Sequence, residues 1–294
     1  MTTSPVTGFK AATHELKCRD HQFEVGQTYT IDGDPIQCER GFHFCANPLD
    51  VWNYYPLIQD DGKLTRYMTV EAVGAVKHDG DKSVTASIAI RAELTLPAFI
   101  KSAVDGIISL CKPAYGVTVA SGYDSQLAAS GNYSQLAASG HGSQLAASGS
   151  YSQLAASGNY SKLAASGNYS KLAASGSYSQ LAASGNYSKL AASGYDSQLA
   201  ASGNYSQLAA SGNDSKLAAS GNYSKLAIEG TNGVAMSAGN RSTVTGIDGT
   251  WVSLASYDDQ GKCNGIATGC IGKGKLKAGR VYRAEAGKFV EVQS

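Results

Sequence analysis

The chain has 294 residues, with 24 Lys and Arg against 23 Asp and Glu and a formal net charge of +1. That balance gives no general attraction to nucleic acid or to an acidic membrane, and no apolar run approaches the ~18 residues a membrane span needs. Six cysteines are scattered through a long chain whose opening, "MTTSPVTGFKAATHELK", lacks a basic stretch followed by an apolar core, which argues against secretion and against a disulfide framework.

Composition divides the chain at 1–115, 116–246 and 247–294. In the first segment "QTYTID", "GFHFC", "RYMTVEAVGAV" and "SVTASIAIRAEL" read as short strands. "CANPLDVWNYYP" reads as a helix: Asn47 caps it, Pro48 suits its first turn and Pro56 stops it. A second helix is expected over 97–111, "PAFIKSAVDGIISLC". This segment is predicted to be an α+β domain.

From Ser121 onward, twelve units of the form S-G-x-x-S-[QK]-L-A-A follow without insertion or deletion, with leucine from Leu127 to Leu226 at every ninth residue. Two looser units, "EGTNGVAMS" and "AGNRSTVTG", come after. Nine is not a multiple of the helical period, and a Ser-Gly pair in every unit opposes a continuous helix. A short strand plus a corner fits instead. In "SQLAA" alternation puts Ser, Leu and the last Ala on one face, and Gln or Lys and the middle Ala on the other. "SGNY" makes the corner, with Gly and Asn tolerating positive φ.

The fourth position is tyrosine in every even unit: Tyr133, Tyr151, Tyr169, Tyr187, Tyr205 and Tyr223. In odd units it drifts to Asp and Gly. The alternation predicts two units per coil, hence a β-solenoid of eighteen-residue coils, six from the twelve regular units and roughly 29 Å long. One corner carries a tyrosine ladder and the other is polar and variable.

The last segment is predicted to be a small β cap. "TWVSLASYDDQGK" alternates and then turns, and "GRVYRAEAGKFVEV" reads as a hairpin turning at Ala286-Gly287. An uncapped coil would offer unpaired backbone for end-to-end association. The fold class is therefore mainly β.

"LKCRDHQFEVGQTY", "CERGFHFCANPLDVWNYYP" and "GDKSVTASIAI" resemble a family of phage and bacterial proteins built on a domain of unknown function, whose members carry Ser-Gly-rich nonapeptide repeats and a tail like "GTWVSLASYDDQGK". The resemblance runs over roughly the whole chain and implies a phage or prophage setting, in the cytoplasm of a bacterial host or in a virion. It implies no activity. "GTNGVAMSAGNRST" also resembles the heads of trimeric autotransporter adhesins in composition.

Several chemistries can be weighed. Cys18, His21, Cys38, His43 and Cys45 are zinc-ligand types, but no CxxC pair occurs, and buried free thiols are the simpler reading. "GFHFC", a helix and a strand bearing Glu71 resemble the ADP-ribosyltransferase arrangement, which makes Arg19, His43, Tyr54 and Glu71 the residues to test for an enzyme, although no Ser-Thr-Ser strand is present. Calcium-binding nonapeptide rolls place Asp in each turn. Here only Asp124, Asp196 and Asp214 do so, and the repeat is expected to fold with no metal or cofactor. Lys162, Lys171, Lys189, Lys216 and Lys225 alternate with Gln, as on a solvated face, and no specific nucleic acid is expected. The ladder offers area and hydroxyls to a protein or glycan partner. The outward Ala128, Ala137 and Ala146 suggest self-association through a flat face. A structural or interaction protein is the expectation, with the enzyme as the alternative.

Overall fold

The structure, a computed structural model, describes residues 6–19, 21–36, 39–109 and 117–292. It is mainly β, 47% strand and 5% helix. Two compact units are present: Met1–Pro56 with Thr65–Gly106, and Leu57–Leu64 with Ile107–Ser294.

In the first unit, β1 (Val6–Ala12) opens a strand set continued by β2 (Lys17–Cys18), β3 (His21–Gln22), β4 (Thr28–Thr30), β5 (Phe42–Phe44), β6 (Arg66–Ala72), β7 (Val76–Asp79), β8 (Lys82–Thr85) and β9 (Ser87–Leu94). An antiparallel sheet runs β1-β6-β9-β4, and a second runs β5-β8-β7. Phe9 and Cys45 exchange both backbone hydrogen bonds, at 2.8 and 2.9 Å, which ties β1 to the end of β5. The segment capped by Asn47 is a 3-10 helix, Pro48–Asn53, with the Asn47 Oδ1 accepting from the Leu49 amide at 3.1 Å. Its Trp52 is buried and donates from Nε1 to the Tyr67 hydroxyl at 2.9 Å. Tyr67 in turn stacks on Phe99 of α1 (Leu96–Ser109), the second helix expected.

The second unit is a β-solenoid of about 8 turns over residues 118–254. Strands eighteen residues apart pair in parallel and in register, Leu136 against Leu154 and Leu145 against Leu163. Consecutive units therefore alternate between two sheets, one of even units starting at β10 (Val117–Ala120) and one of odd units starting at β11 (Gln126–Ala129). The solenoid exceeds the six coils of the regular repeat. β10 precedes the repeat, and the looser units continue it as β23 (Val234–Ser237) and β24 (Thr243–Gly246). Those units keep the small and apolar inward positions while changing the letters.

The interior is a column of Leu, Ala and Ser with exposures of a few per cent or less. The inward serines are satisfied locally. Ser152 Oγ donates to Gly149 O at 2.7 Å, and the same bond recurs in each regular unit from Ser125 to Ser224. A buried hydroxyl would otherwise cost about 1–3 kcal/mol.

The corners differ from the expectation. The glycine of each Ser-Gly pair does not supply the positive φ, which falls at the fourth position, with Gly142 at 74° and Tyr133 through Tyr223 at 57–59°. The glycines are required by proximity instead. A Cβ on Gly167 would lie 2.2 Å from the carbonyl oxygen of Gly149 in the preceding coil.

The outward faces also differ. Ala128 and Ala146 lie exposed on the odd-unit sheet, whereas Ala137 belongs to the even-unit sheet and is fully buried, so the three do not form one row. Adjacent units sit on opposite sheets, which separates them. For the same reason the lysines do not share a solvated face. Lys162 and Lys216 are exposed, Lys171 is buried, and burial with the charges of Lys171 and Lys225 lowers Lys189 to about 8. Part of the even-unit sheet is covered by Leu57–Leu64. The Leu57 and Ile58 amides donate to Gln207 Oε1 at 2.8 and 3.2 Å, and Lys225 pairs with Asp60 at 2.8 Å.

Each sheet ends in an antiparallel hairpin. β25 (Trp251–Tyr257) follows β23 in parallel and then pairs with β26 (Cys263–Cys270). β24 meets β27 (Tyr282–Glu285) at Val244 and Tyr282, and β27 pairs with β28 (Lys288–Glu291) through a turn at Ala286-Gly287, both at positive φ.

Candidate functional site

The first unit contains a cavity of about 710 Å³. Its walls come from β1, the β2–β3 turn, β5, the 3-10 helix and the start of β8. Arg19, His43 and Tyr54 all line it, whereas Glu71 does not. Glu71 sits on β6, where Arg91 binds its carboxylate at 2.8 Å.

Cys18, His21, His43 and Cys45 line the same cavity, while Cys38 and Cys111 lie outside the described residues. No three His, Cys, Asp or Glu side chains among the described residues are grouped to hold a metal ion. Cys18, Cys263 and Cys270 are free thiols.

Two polar groups that the sequence reading passed over are central. Lys10 is buried on β1, donates to His43 O at 3.0 Å and lies 5.1 Å from the Phe23 ring centre. Burial lowers its pKa, partly opposed by the nearby Cys18 thiol. Tyr55 hydrogen-bonds Cys18, and its phenol is pushed up by burial first and then by that thiol. Burial and the charges of Lys10, Lys82 and Arg19 hold His43 down to about 4, which leaves it neutral near pH 7. Tyr54 donates to Asp81, and Lys82 sits 4.7 Å over its ring. Partial burial and Asp81 raise its pKa. No local pattern marks Lys10, because its burial arises when β1 meets β5, 33 residues away.

On the solenoid, Tyr133, Tyr151, Tyr169, Tyr187, Tyr205 and Tyr223 form one continuous stack. Ring centres are 4.9–5.0 Å apart and planes lie within 11° of parallel. The Arg241 guanidinium closes one end, 5.9 Å from the Tyr223 ring. The ladder's backbone is held by its neighbours. Tyr151 N donates to Asn168 O at 2.8 Å, and Asn168 Oδ1 accepts from Asn186 N at 2.8 Å. The opposite corner is more aromatic than the letters suggest. Tyr160 and Tyr178 stack at 4.8 Å, flanked by His141 and an edge-on Tyr195. A shallow groove of about 980 Å³ follows the exposed Ala and Ser positions of the odd-unit sheet.

No helix among the described residues is long and apolar enough to cross a membrane. The chain matches no curated protein and no solved structure. Residues 6–102 match the model of a domain of unknown function, DUF7666.

Proposed function

We propose that the chain is a structural interaction protein, in which a calcium-independent solenoid presents the tyrosine ladder, and the open Ala, Gln and Lys face of the odd-unit sheet, to a protein partner. One observation carries the reading. Six tyrosines 40–69% exposed are stacked face to face, and none of their hydroxyls makes a hydrogen bond within the described residues. Stacking covers the ring faces a sugar would need and leaves ring edges and a row of hydroxyls outside. A partner with a repeat near the strand spacing of about 4.8 Å can meet such a row in register. The phage or prophage setting implied by the "GFHFCANPLDVWNYYP" likeness belongs to this reading.

Changing Tyr151, Tyr169, Tyr187 and Tyr205 to Ser tests it. Each stacked pair is worth about 0.5–1.5 kcal/mol, so the thermal midpoint falls by several degrees while the circular dichroism of the solenoid persists. Retention of cross-linked partner proteins is lost. Undiminished retention by the folded variant overturns the interface.

A further inference from the structure

We propose that the cavity of the N-terminal unit binds a small organic anion built on a planar ring, such as an aryl phosphate or aryl carboxylate. The inference is independent of the ladder and concerns a different unit.

Volume comes first. About 710 Å³ lies within the range of roughly 300–1,000 Å³ typical of small-molecule sites. Charge comes second. Four cations, Lys10, Arg19, Arg40 and Lys82, line the cavity against one carboxylate, Glu39. Two of the four are held by neutral carbonyl groups. Lys10 is buried and fixed by a neutral carbonyl, His43 O, and no carboxylate pairs with it among the described residues. Arg40 is fixed by another carbonyl, Asp34 O, through Nε at 3.2 Å and Nη2 at 2.9 Å. Arg19 occupies the β2–β3 turn at φ 52°, a conformation that costs an arginine about 1–2 kcal/mol and that persists only when its surroundings impose it. A buried ammonium without a counter-charge is costly, and an anion entering the cavity removes that cost.

The walls supply the ring preference. His21, Phe23, Tyr29 and Phe42 form a mutually edge-to-face or tilted box with ring centres 4.8–6.4 Å apart. Three of them, His21, Phe23 and Phe42, line the cavity, along with Phe9, Phe44 and Tyr55. The Nε2 of His21 is buried and has no hydrogen-bond partner, which leaves one polar atom among the apolar walls for a substituent of the ligand. Phe23, Phe42 and Phe44 are already buried, so the half-buried Phe9, His21 and Tyr55 are the rings left for a ligand; an inorganic anion would satisfy the cations and make no use of them. A neutral arene would do the reverse.

Isothermal titration of the full chain with four probes tests the proposal: 1-naphthyl phosphate, 1-naphthoate, 1-naphthol and inorganic phosphate. The expected result is binding of at least one naphthyl anion, with naphthol and inorganic phosphate each weaker by roughly tenfold or more, since each lacks one of the two interactions. Comparing phosphate with carboxylate identifies the preferred headgroup. Arg19→Gln and Lys82→Gln, neither of them fully buried, are each expected to weaken the naphthyl anion by roughly tenfold with melting unchanged. Lys10→Gln should do the same, but its buried site makes the other two the decisive variants. Absence of millimolar binding by both naphthyl anions overturns the proposal. So does equal binding of naphthol, or full affinity in both Arg19→Gln and Lys82→Gln.

Discussion

The fourth residue of each unit shows how a repeat can tolerate a local cost. A tyrosine at φ near 58° is disfavoured by about 1–2 kcal/mol. Its ring meets one neighbour on each side at about 5 Å, and each such pair returns a similar amount. The third-position asparagine then closes the corner by accepting the next coil's amide. Glycine answers a different need, and the distinction is testable. Gly122 opens the first unit, whose strand β11 is the first of its sheet, and among the described residues a Cβ there meets only Ser125 Oγ at 3.6 Å. Gly122→Ala is expected to be tolerated within about 0.5 kcal/mol, whereas Gly167→Ala forces backbone apart and costs about 1–3 kcal/mol. Denaturant melts of the two variants compare them directly. Equal effects would show that conformational freedom, rather than coil spacing, selects glycine. The sequence contains both glycines in the same motif and cannot tell them apart, because the atom that excludes a methyl group lies eighteen residues away.

At the scale of elements, the repeat strands were legible because leucine returns at fixed spacing and nothing breaks the register. The ends were less so. β10 reads "VTVA" without a Ser-Gly pair, and β23 and β24 carry Ala235 and Val244 where leucine is expected. Inward burial survives at these positions although the motif does not. In the N-terminal unit the strand β1 was not read, since "VTGFKAA" has no clean alternation. Arg19, His43 and Tyr54 were singled out for one chemistry and share a cavity, but Glu71 lies outside it, bound to Arg91 on the neighbouring strand β9. The two terminal hairpins have a role that deletion can expose. Removing Arg280–Val292 takes away β27 and β28 and frees the edge of β24. Such an edge is a template for another strand. Sedimentation velocity is expected to show concentration-dependent association of the truncated chain. A truncated chain that stays monomeric at all concentrations would assign protection of that edge to something other than the hairpin.

At the scale of the whole molecule, alternation between two sheets makes eighteen residues, not nine, the indivisible step. Deleting residues 166–183 removes one coil and returns every later strand to its own sheet. Deleting 166–174 sends every later unit to the opposite sheet. The tyrosine stack is then interrupted, Gln207 and Lys225 leave the side met by Leu57–Leu64, and each terminal hairpin follows the wrong sheet. The longer deletion is expected to melt cooperatively close to the parent, and the shorter to lose several kcal/mol or fail to fold. A shorter deletion as stable as the parent would mean that the two sheets are interchangeable.

This step size reaches back to the gene. Each regular coil is a block of eighteen residues, and so of eighteen codons, and in a tandem coding repeat replication slippage and unequal crossing-over add or drop copies. A slip by a whole block yields a protein with the same walls, the same ladder and one rung more or fewer. A slip by half a block yields a broken one. Selection acting on folding alone therefore turns a mutation-prone stretch of DNA into a ruler that changes length only in whole graduations.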